Sequence, residues 1–145
     1  MPALYLNNYR PVVVSTTVSK ILEMFVLQEC GYHDFHDSQF GFVPGRGTNM
    51  AIYVSRDVIS YCACSLDAGG AFDAIPHSVL FDKCIGILPD VCWQLLYFWY
   101  HKLTVQIRWN NVLSDIIRVE RGTRQGGLSS AFLFNIFNQD RIVEL

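Results

Sequence analysis

One stretch of the sequence carries residue types that suit a metal site. An apolar run from Tyr61 to Leu66 predicts a buried strand that ends in a carboxylate, Asp67, with small residues directly after it. Small residues let a ligand or another backbone come close, and an acid at a strand end is a rigid way to hold a metal ion. The alternative is an acid that opens a turn, since Asp before two glycines is also common turn chemistry.

The composition is that of a globular domain, or of a piece of a larger one. The chain has 145 residues, of which 51% are hydrophobic and 17% charged, which excludes a disordered segment and predicts one domain with a large core. The net charge of −2 gives the whole chain no electrostatic signature of nucleic-acid binding. With no membrane-spanning apolar run and no signal-peptide pattern at the start, we expect an intracellular protein with reduced cysteines.

Two local patterns each admit two interpretations. Between His101 and Gln125 the cations outnumber the acids, which suits phosphate contact and also an ordinary solvated strand face. Cys30, His33 and His36 are spaced like zinc ligands, but no second pair stands at a matching distance. Ordinary core or surface roles are therefore favoured for these three.

The basic segment between His101 and Gln125 contains five cations and two acids. The cations are Lys102, Arg108, Arg118, Arg121 and Arg124, and the acids are Asp115 and Glu120.

Helical periodicity and capping residues predict five helices around this stretch. In the first, apolar residues recur from Val18 to Val26 at helical spacing, with Ser15, Thr16 or Thr17 as caps and Gly31 as the stop. The other four are expected from a cap at Thr48 or Asn49 to about Ser60, from Pro76 to Gly86, from Val91 to Lys102 with Asp90 as its cap, and after Ser129 or Ser130 as the cap of the last.

A β-hairpin is predicted from Thr104 to Glu120. Its two arms flank Asn110-Asn111, a pair that tolerates the positive φ of a primed turn. Helices and a small, mainly antiparallel sheet in irregular order predict the α+β class. The Val91 to Lys102 helix is apolar nearly all round, so we expect it to need cover and the chain to be poorly soluble.

Four blocks in one order resemble a known family. They are Asn8-Tyr9-Arg10-Pro11 with Ser19-Lys20-Ile21-Leu22-Glu23; Gln39-Phe40-Gly41-Phe42 with Pro44-Gly45-Arg46; Asp67 with Ala71-Phe72-Asp73; and Gly122 to Gly127 with Leu133-Phe134-Asn135. Together they resemble the reverse transcriptase of non-long-terminal-repeat (LINE-type) retrotransposons. The resemblance implies an RNA-directed DNA polymerase whose fold is the fingers and an incomplete palm of a right-hand polymerase. Val43 departs from the family pattern, which commonly has arginine there.

The resemblance implies a metal site and a place for the sugar of the nucleotide. Asp67 would be the catalytic carboxylate and a metal ligand, aided by the backbone carbonyl of Ala68. The complete family site holds two Mg²⁺ ions that promote in-line phosphoryl transfer. Phe72 would lie beneath the incoming sugar and exclude a 2′-hydroxyl by its bulk, although a core aromatic residue would also fit that position.

The resemblance also implies contacts with nucleotide and nucleic acid. Arg10 would grip the triphosphate, or else be a surface cation, while Gln125 and Gly126 would lie beside the nucleotide. Arg46 and Arg124 would contact the nucleotide or the template backbone. The implied partners are an RNA template, a DNA primer and deoxynucleoside triphosphates, with no membrane.

One family element has no counterpart in the sequence. The aromatic-x-Asp-Asp hairpin is not found, and no two aspartates are adjacent anywhere. Residues 1–145 are therefore expected to form a single truncated domain, the N-terminal fragment of the enzyme, in which the Mg²⁺ site is incomplete and polymerisation does not occur. The alternative is a non-catalytic remnant that serves as a nucleic-acid-binding or structural module. A metal hydrolase built on Asp67 and His77 is a third interpretation, without supporting spacing.

Overall fold

The fold is an α+β mixture, as predicted. The structure, a computed structural model, describes residues 13–31, 33–59, 70–124 and 126–143, and the predicted strand from Tyr61 to Leu66 lies outside them. No helix in these ranges is long and apolar enough to cross a bilayer. The described helices are α1 Thr17–Cys30, α2 Thr48–Ile59, α3 His77–Cys84, α4 Asp90–His101 and α5 Ser130–Val143, and the strands are β1 Thr104–Val105, β2 Arg108–Trp109, β3 Val112–Leu113 and β4 Ile117–Arg118.

Helix α1 has the predicted ends but buries a different face. The Thr16 side chain accepts a hydrogen bond from Ser19 N–H, and Gly31 ends the helix with φ 60°. Within the apolar stripe, Val26 is fully buried, whereas Val18 is 75% exposed. The face turned inward includes Glu23, which is also buried. The inward face is thus set by a partner for this carboxylate and not by the apolar stripe alone.

The core lies where α3 packs against both α4 and α5. Apolar burial of this kind stabilises the fold by about 25 cal/mol per Å² of covered surface. Val43 is 4% exposed and belongs to this core. An apolar residue therefore suits this position, although the family pattern commonly has arginine there. The helices contribute Leu80, Phe81 and Cys84 from α3, Cys92, Leu96 and Tyr100 from α4, and Leu133 and Ile136 from α5.

Three predicted helix starts are displaced. Helix α2 begins at Thr48, so the prediction that Thr48 or Asn49 caps it is wrong. Pro89 occupies the N-cap position of α4 and Asp90 is its first helical residue, so the prediction that Asp90 caps this helix is wrong. Likewise Pro76 is the N-cap of α3. Proline fits both places because it has no N–H to leave unpaired at a helix start. Asp90 remains favourable in the first turn, where an acid complements the helix dipole.

The predicted hairpin forms, with an interruption in its middle. Asn110 and Asn111 adopt φ of 45° and 64°, as the primed turn requires. Strand β2 pairs with β3, and β1 pairs with β4 so that Thr104 lies opposite Arg118. Between the two pairs, Ser114 N–H donates to Ile107 O over 2.9 Å. The hairpin returns the chain to α3, because Pro76 and Arg121 form a β-bridge.

Candidate functional site

The predicted metal-binding stretch leads into a tight turn. Gly70 adopts φ 62°, and its carbonyl accepts hydrogen bonds from Asp73 N–H at 2.9 Å and Ala74 N–H at 3.0 Å. A positive φ is accessible to glycine at little cost. This turn fixes the backbone that carries Phe72.

The half-buried ring of Phe72 lies between two other aromatic rings. Its centroid is 5.8 Å from that of Phe42, at an edge-on angle of 80°, and 4.5 Å from that of Phe134, at 32°. These are favourable separations for aromatic pairs. Phe72 is thus held from two sides, by the second and by the fourth of the family-like blocks.

A buried amide joins the second block to α5. Asn135 is 1% exposed, and its Nδ2 donates to Gly41 O over 3.0 Å and to Phe42 O over 3.3 Å. Its Oδ1 accepts from Gln39 Nε2 over 3.0 Å. A buried amide is tolerated when its donors and acceptor are satisfied. Asn135 therefore fixes the loop that carries Phe42 beside Phe72.

The fourth block is bonded directly to the Phe72 turn. Thr123 N–H donates to Phe72 O and Gly122 N–H to Ile75 O, both over 2.7 Å. Gly122 has φ +88°, and a Cβ there would lie 3.0 Å from Asp73 Cα. Only glycine fits so close to another backbone, so this contact depends on the residue type at position 122.

His77 also contacts this junction. Its Nε2 lies 2.8 Å from Gly122 O, and because a carbonyl can only accept, Nε2 carries the hydrogen. Burial lowers the pKa of His77, against a smaller opposing effect of the bond to Gly122. The neutral, Nε2-protonated ring is thus the form that the fold selects.

The first block reaches the fourth through a buried ion pair. Arg124 Nη1 lies 3.4 Å from Glu23 Oε1, with the two side chains 10% and 2% exposed. The Arg124 guanidinium also lies over the Trp99 ring, 4.6 Å from its centroid, and Leu128 N–H donates to the other carboxylate oxygen of Glu23. The sequence places Glu23 in the first block without indicating a role, although an acid beside a run of apolar helix residues signals a buried charge in need of a partner.

The backbone of this loop is tightly packed at a second glycine. A Cβ on Gly127 would lie 2.6 Å from Ser130 Oγ and 3.0 Å from Glu23 Oε1. Ser130 Oγ in turn donates to Arg124 O over 2.5 Å. The loop from Gly122 to Gly127 is therefore anchored at both ends.

Arg46 makes a comparable set of internal bonds. Its Nη1 donates to His36 O over 2.6 Å and to Gln39 O over 3.0 Å, and its Nη2 pairs with Asp37 at 3.1 Å. A guanidinium presents five N–H donors in a rigid fork, which suits it to gather several carbonyls. Arg46 therefore pins the segment that leads to the Gln39–Phe42 loop.

The predicted site residues divide into two groups. Asp67, Ala68, Arg10 and Gln125 lie outside the described residues, so their metal and nucleotide contacts stay predictions. The structure describes the other four, Phe72, Gly126, Arg46 and Arg124. Phe72 contacts the Gly122–Gly127 loop, and Gly126 is exposed with φ +84°. Both arginines have protein partners.

The described ranges offer no set of side chains for a metal ion. No group of three His, Cys, Asp or Glu side chains within them could hold one, and Asp67 lies outside them. Among the zinc-like trio, His33 Nε2 lies 3.1 Å from Gln139 Oε1, and His36 Nδ1 accepts from Ser38 N–H. The metal site that the resemblance implies at Asp67 therefore stays a prediction.

The described parts of the four blocks form one connected set of contacts, in which the fourth block touches each of the other three, through Arg124, Phe134 and Asn135. A family model described as "Reverse transcriptase (RNA-dependent DNA polymerase)" matches residues 3–145. That match covers nearly the whole chain, and the five helices and small antiparallel pairs of the described ranges fit part of the fingers and palm region. The chain belongs to the reverse transcriptase family.

Proposed function

We propose that this chain forms the fingers and the first part of the palm of a LINE-type RNA-directed DNA polymerase. Such an enzyme adds deoxynucleotides to a DNA primer on an RNA template, and we propose that it acts inside the cell. The observation that carries the proposal is the position of Phe72. Its ring lies against Phe42 and Phe134, and its carbonyl accepts from Thr123 N–H, so the second, third and fourth family-like blocks meet at the residue assigned to the incoming sugar.

The proposed chemistry is template-directed phosphoryl transfer. The family depends on divalent metal ions, and we assign Asp67 and the Ala68 carbonyl as ligands of Mg²⁺, which when bound stabilises the charge of the transferring phosphoryl group. Arg10, Gln125 and Gly126 are assigned to the nucleotide. In this arrangement the ion pair of Glu23 with Arg124 positions the backbone on either side of Gln125.

Phe72 is the proposed determinant of sugar selectivity. A ring that packs against both Phe42 and Phe134 loses part of its freedom to move aside. A fixed ring excludes a 2′-hydroxyl by volume, whereas a mobile one would yield. The two neighbouring rings therefore support the role that the resemblance gives to Phe72.

Template contact by Arg46 and Arg124 stays a prediction. Both guanidinium groups already have protein partners. A contact with the nucleic-acid backbone would use the N–H donors that these bonds leave available.

A chimaeric polymerase tests the proposed function. Residues 1–145 replace the matching segment of an active LINE-type reverse transcriptase, and extension of a DNA primer on an RNA template is measured with Mg²⁺. We expect extension that Asp67→Ala abolishes, while Asp115→Ala, an exposed acid in the hairpin, leaves it intact. A folded chimaera that binds primer and template without extending, or that keeps its activity after Asp67→Ala, would contradict the proposal.

The second candidate function is a non-catalytic nucleic-acid-binding or structural module. It is favoured by one sequence observation, the lack of an adjacent aspartate pair. For the same reason we expect the 145-residue polypeptide by itself to show no primer extension. Extension by that polypeptide would exclude the second candidate, whereas hybrid binding together with an inactive chimaera would support it.

A further inference from the structure

An open cleft separates the end of α4 from the base of the hairpin. It has a volume of about 390 Å³ and is lined by His101, Lys102, Thr104 and Arg118. These side chains offer an imidazole, an ammonium, a hydroxyl and a guanidinium, and no carboxylate lines the cleft with them. The described structure therefore concentrates hydrogen-bond donors and positive charge in a cleft whose lining does not include Phe72.

The hairpin register builds one wall of this cleft. Thr104 and Arg118 are cross-strand partners in the pairing of β1 with β4. Arg118 Nη2 lies 3.4 Å from both His101 Nε2 and His101 O, so the guanidinium is tethered to the end of α4. Both contacts use the same nitrogen, which leaves most of the five N–H donors of the group for a ligand.

A column of stacked rings holds His101 in place. Trp93 and Tyr97 stack at 4.9 Å and 10°, and Tyr97 and His101 stack at 5.7 Å and 14°, as residues four apart on one helix face do. Trp93 Nε1 donates to Phe81 O in the core over 2.9 Å. The column thus runs from the core to an exposed imidazole at the rim of the cleft.

Lys102 also stands at the C-cap of α4, where a cation offsets the helix dipole, but this role does not account for the second cation of the cleft. A cation at the C-cap complements the partial charge of about −0.5 at a helix C-terminus. Lys102 alone offsets that charge, and Arg118 adds another full positive charge from the hairpin. The side chains that line the cleft therefore carry a net positive charge, which favours an anion.

We propose that this cleft binds the phosphodiester backbone of a nucleic acid. Lys102 and Arg118 contact phosphate, and the Thr104 hydroxyl donates a hydrogen bond to a phosphate oxygen. The ring face of His101 stacks against a neighbouring base or sugar. The inference deepens the proposed function and rests on it, because it places a contact with primer or template outside the nucleotide site. Loss of the two cations removes two phosphate contacts and the counterion release that accompanies them.

The test measures binding of the 145-residue protein to labelled oligonucleotides by fluorescence anisotropy over a series of salt concentrations. The probes are a single-stranded RNA, the same sequence as DNA, and the RNA–DNA hybrid. For Lys102→Gln/Arg118→Gln we expect binding about tenfold weaker at low salt and a salt slope smaller by about 2. Lys102→Arg, which keeps the charge, should bind like the unaltered chain.

A charge-matched variant is the control. Lys20→Gln/Arg56→Gln removes two exposed cations from α1 and α2, so it changes the net charge equally but leaves the cleft intact. We expect it to bind nearly as the unaltered chain does. Equal losses in both double variants, no loss in the cleft variant, or no binding of any probe by the unaltered chain would each overturn the proposal.

A measurement without substitutions gives a second readout. The lysines of the chain are Lys20, Lys83 and Lys102, and bound RNA should protect Lys102 from acylation while exposed Lys20 reacts at its free rate. Equal protection of both would contradict a contact at the cleft. If the chimaera polymerises but the cleft variants bind the oligonucleotides as the unaltered chain does, only this inference is wrong. If the chimaera is inactive but oligonucleotide binding depends on the cleft, only the polymerase assignment is wrong.

Discussion

The carboxylate of Glu23 and the guanidinium of Arg124 form an ion pair at 3.4 Å with both side chains almost entirely buried. The pair joins α1 to the loop that follows the hairpin, across 101 residues of sequence. Burying two charges costs free energy, so such a pair persists only with further hydrogen bonds. Leu128 N–H supplies one to the carboxylate, and Ser19 Oγ lies 3.5 Å from the guanidinium.

Removal of Glu23 should destabilise the protein strongly. Glu23→Ala leaves the Arg124 cation buried without its partner, and we expect the free energy of unfolding to fall by about 3 kcal/mol. Urea denaturation followed by circular dichroism measures it. Glu29→Ala, an exposed acid on the same helix, should cost less than about 0.5 kcal/mol. Additive effects of Glu23→Ala and Arg124→Ala in the double variant would contradict a direct pair.

Gly122 should not tolerate a side chain. Gly122→Ala forces a Cβ to within 3.0 Å of Asp73 Cα at a φ of +88°, and we expect a loss of about 3 kcal/mol in unfolding free energy. Gly86→Ala is the control, since Gly86 has φ +79° but nothing within 4 Å of its Cβ position. That variant should lose about 1 kcal/mol, the conformational cost alone. Equal losses at the two positions would show that the close approach has no energetic weight.

The stability of the fold should depend on pH through His77. Burial lowers the folded-state pKa of His77 below its ordinary value of 6.5, so the unfolded chain binds the proton more readily. The contribution of neutral His77 to the free energy of unfolding is fully present above pH 6.5. It is lost as the pH falls through 6.5 towards the folded-state pKa. His77→Gln keeps an N–H donor but does not titrate. Urea midpoints at several pH values should show a weaker acid dependence for this variant, and identical curves would contradict the assignment.

Phe72→Val should relax sugar selectivity in the chimaera. The smaller side chain opens space beneath the proposed sugar position, and we expect the preference for deoxynucleotides over ribonucleotides to drop by about tenfold or more. Single-nucleotide extension with each substrate measures the ratio. Phe132→Val, on α5 away from the Phe72 ring pairs, is a control that should keep it. Unchanged selectivity in a folded Phe72→Val chimaera would leave Phe72 with a packing role only.

Two thiols, Cys84 in the core and Cys30 packed against it, should be chemically inert in the folded protein. Burial raises the pKa of Cys30 and of Cys84 to about 12, so at pH 8 roughly one thiol in ten thousand is the reactive thiolate. Mass spectrometry after iodoacetamide treatment should find these two cysteines unmodified under native conditions and alkylated in urea. Alkylation of native Cys84 at the rate of the unfolded chain would show that the core around it opens readily.

Local features were predictable because they depend on neighbouring residues. Thr16 and Gly31 set the ends of α1, and Asn110 and Asn111 supply the positive φ of the hairpin turn. A cap or a turn involves residues three or four apart, so its chemistry is visible in the sequence. The family is visible there for a related reason, since each of the four blocks is a short run of neighbouring residues and their order can be read along the chain.

The sequence by itself determined the α+β class, the described helices to within a few residues, the hairpin and the reverse transcriptase family. The tertiary structure alone decided which face of α1 is buried, that Glu23 pairs with Arg124, and that Asn135 fixes the Phe42 loop beside Phe72. Periodicity shows that a stripe is apolar but not what will cover it. A charge or an amide is stable when buried only if its hydrogen-bonding partner lies next to it. Those partners stand about a hundred residues away, so only the packing of the whole chain brings them together.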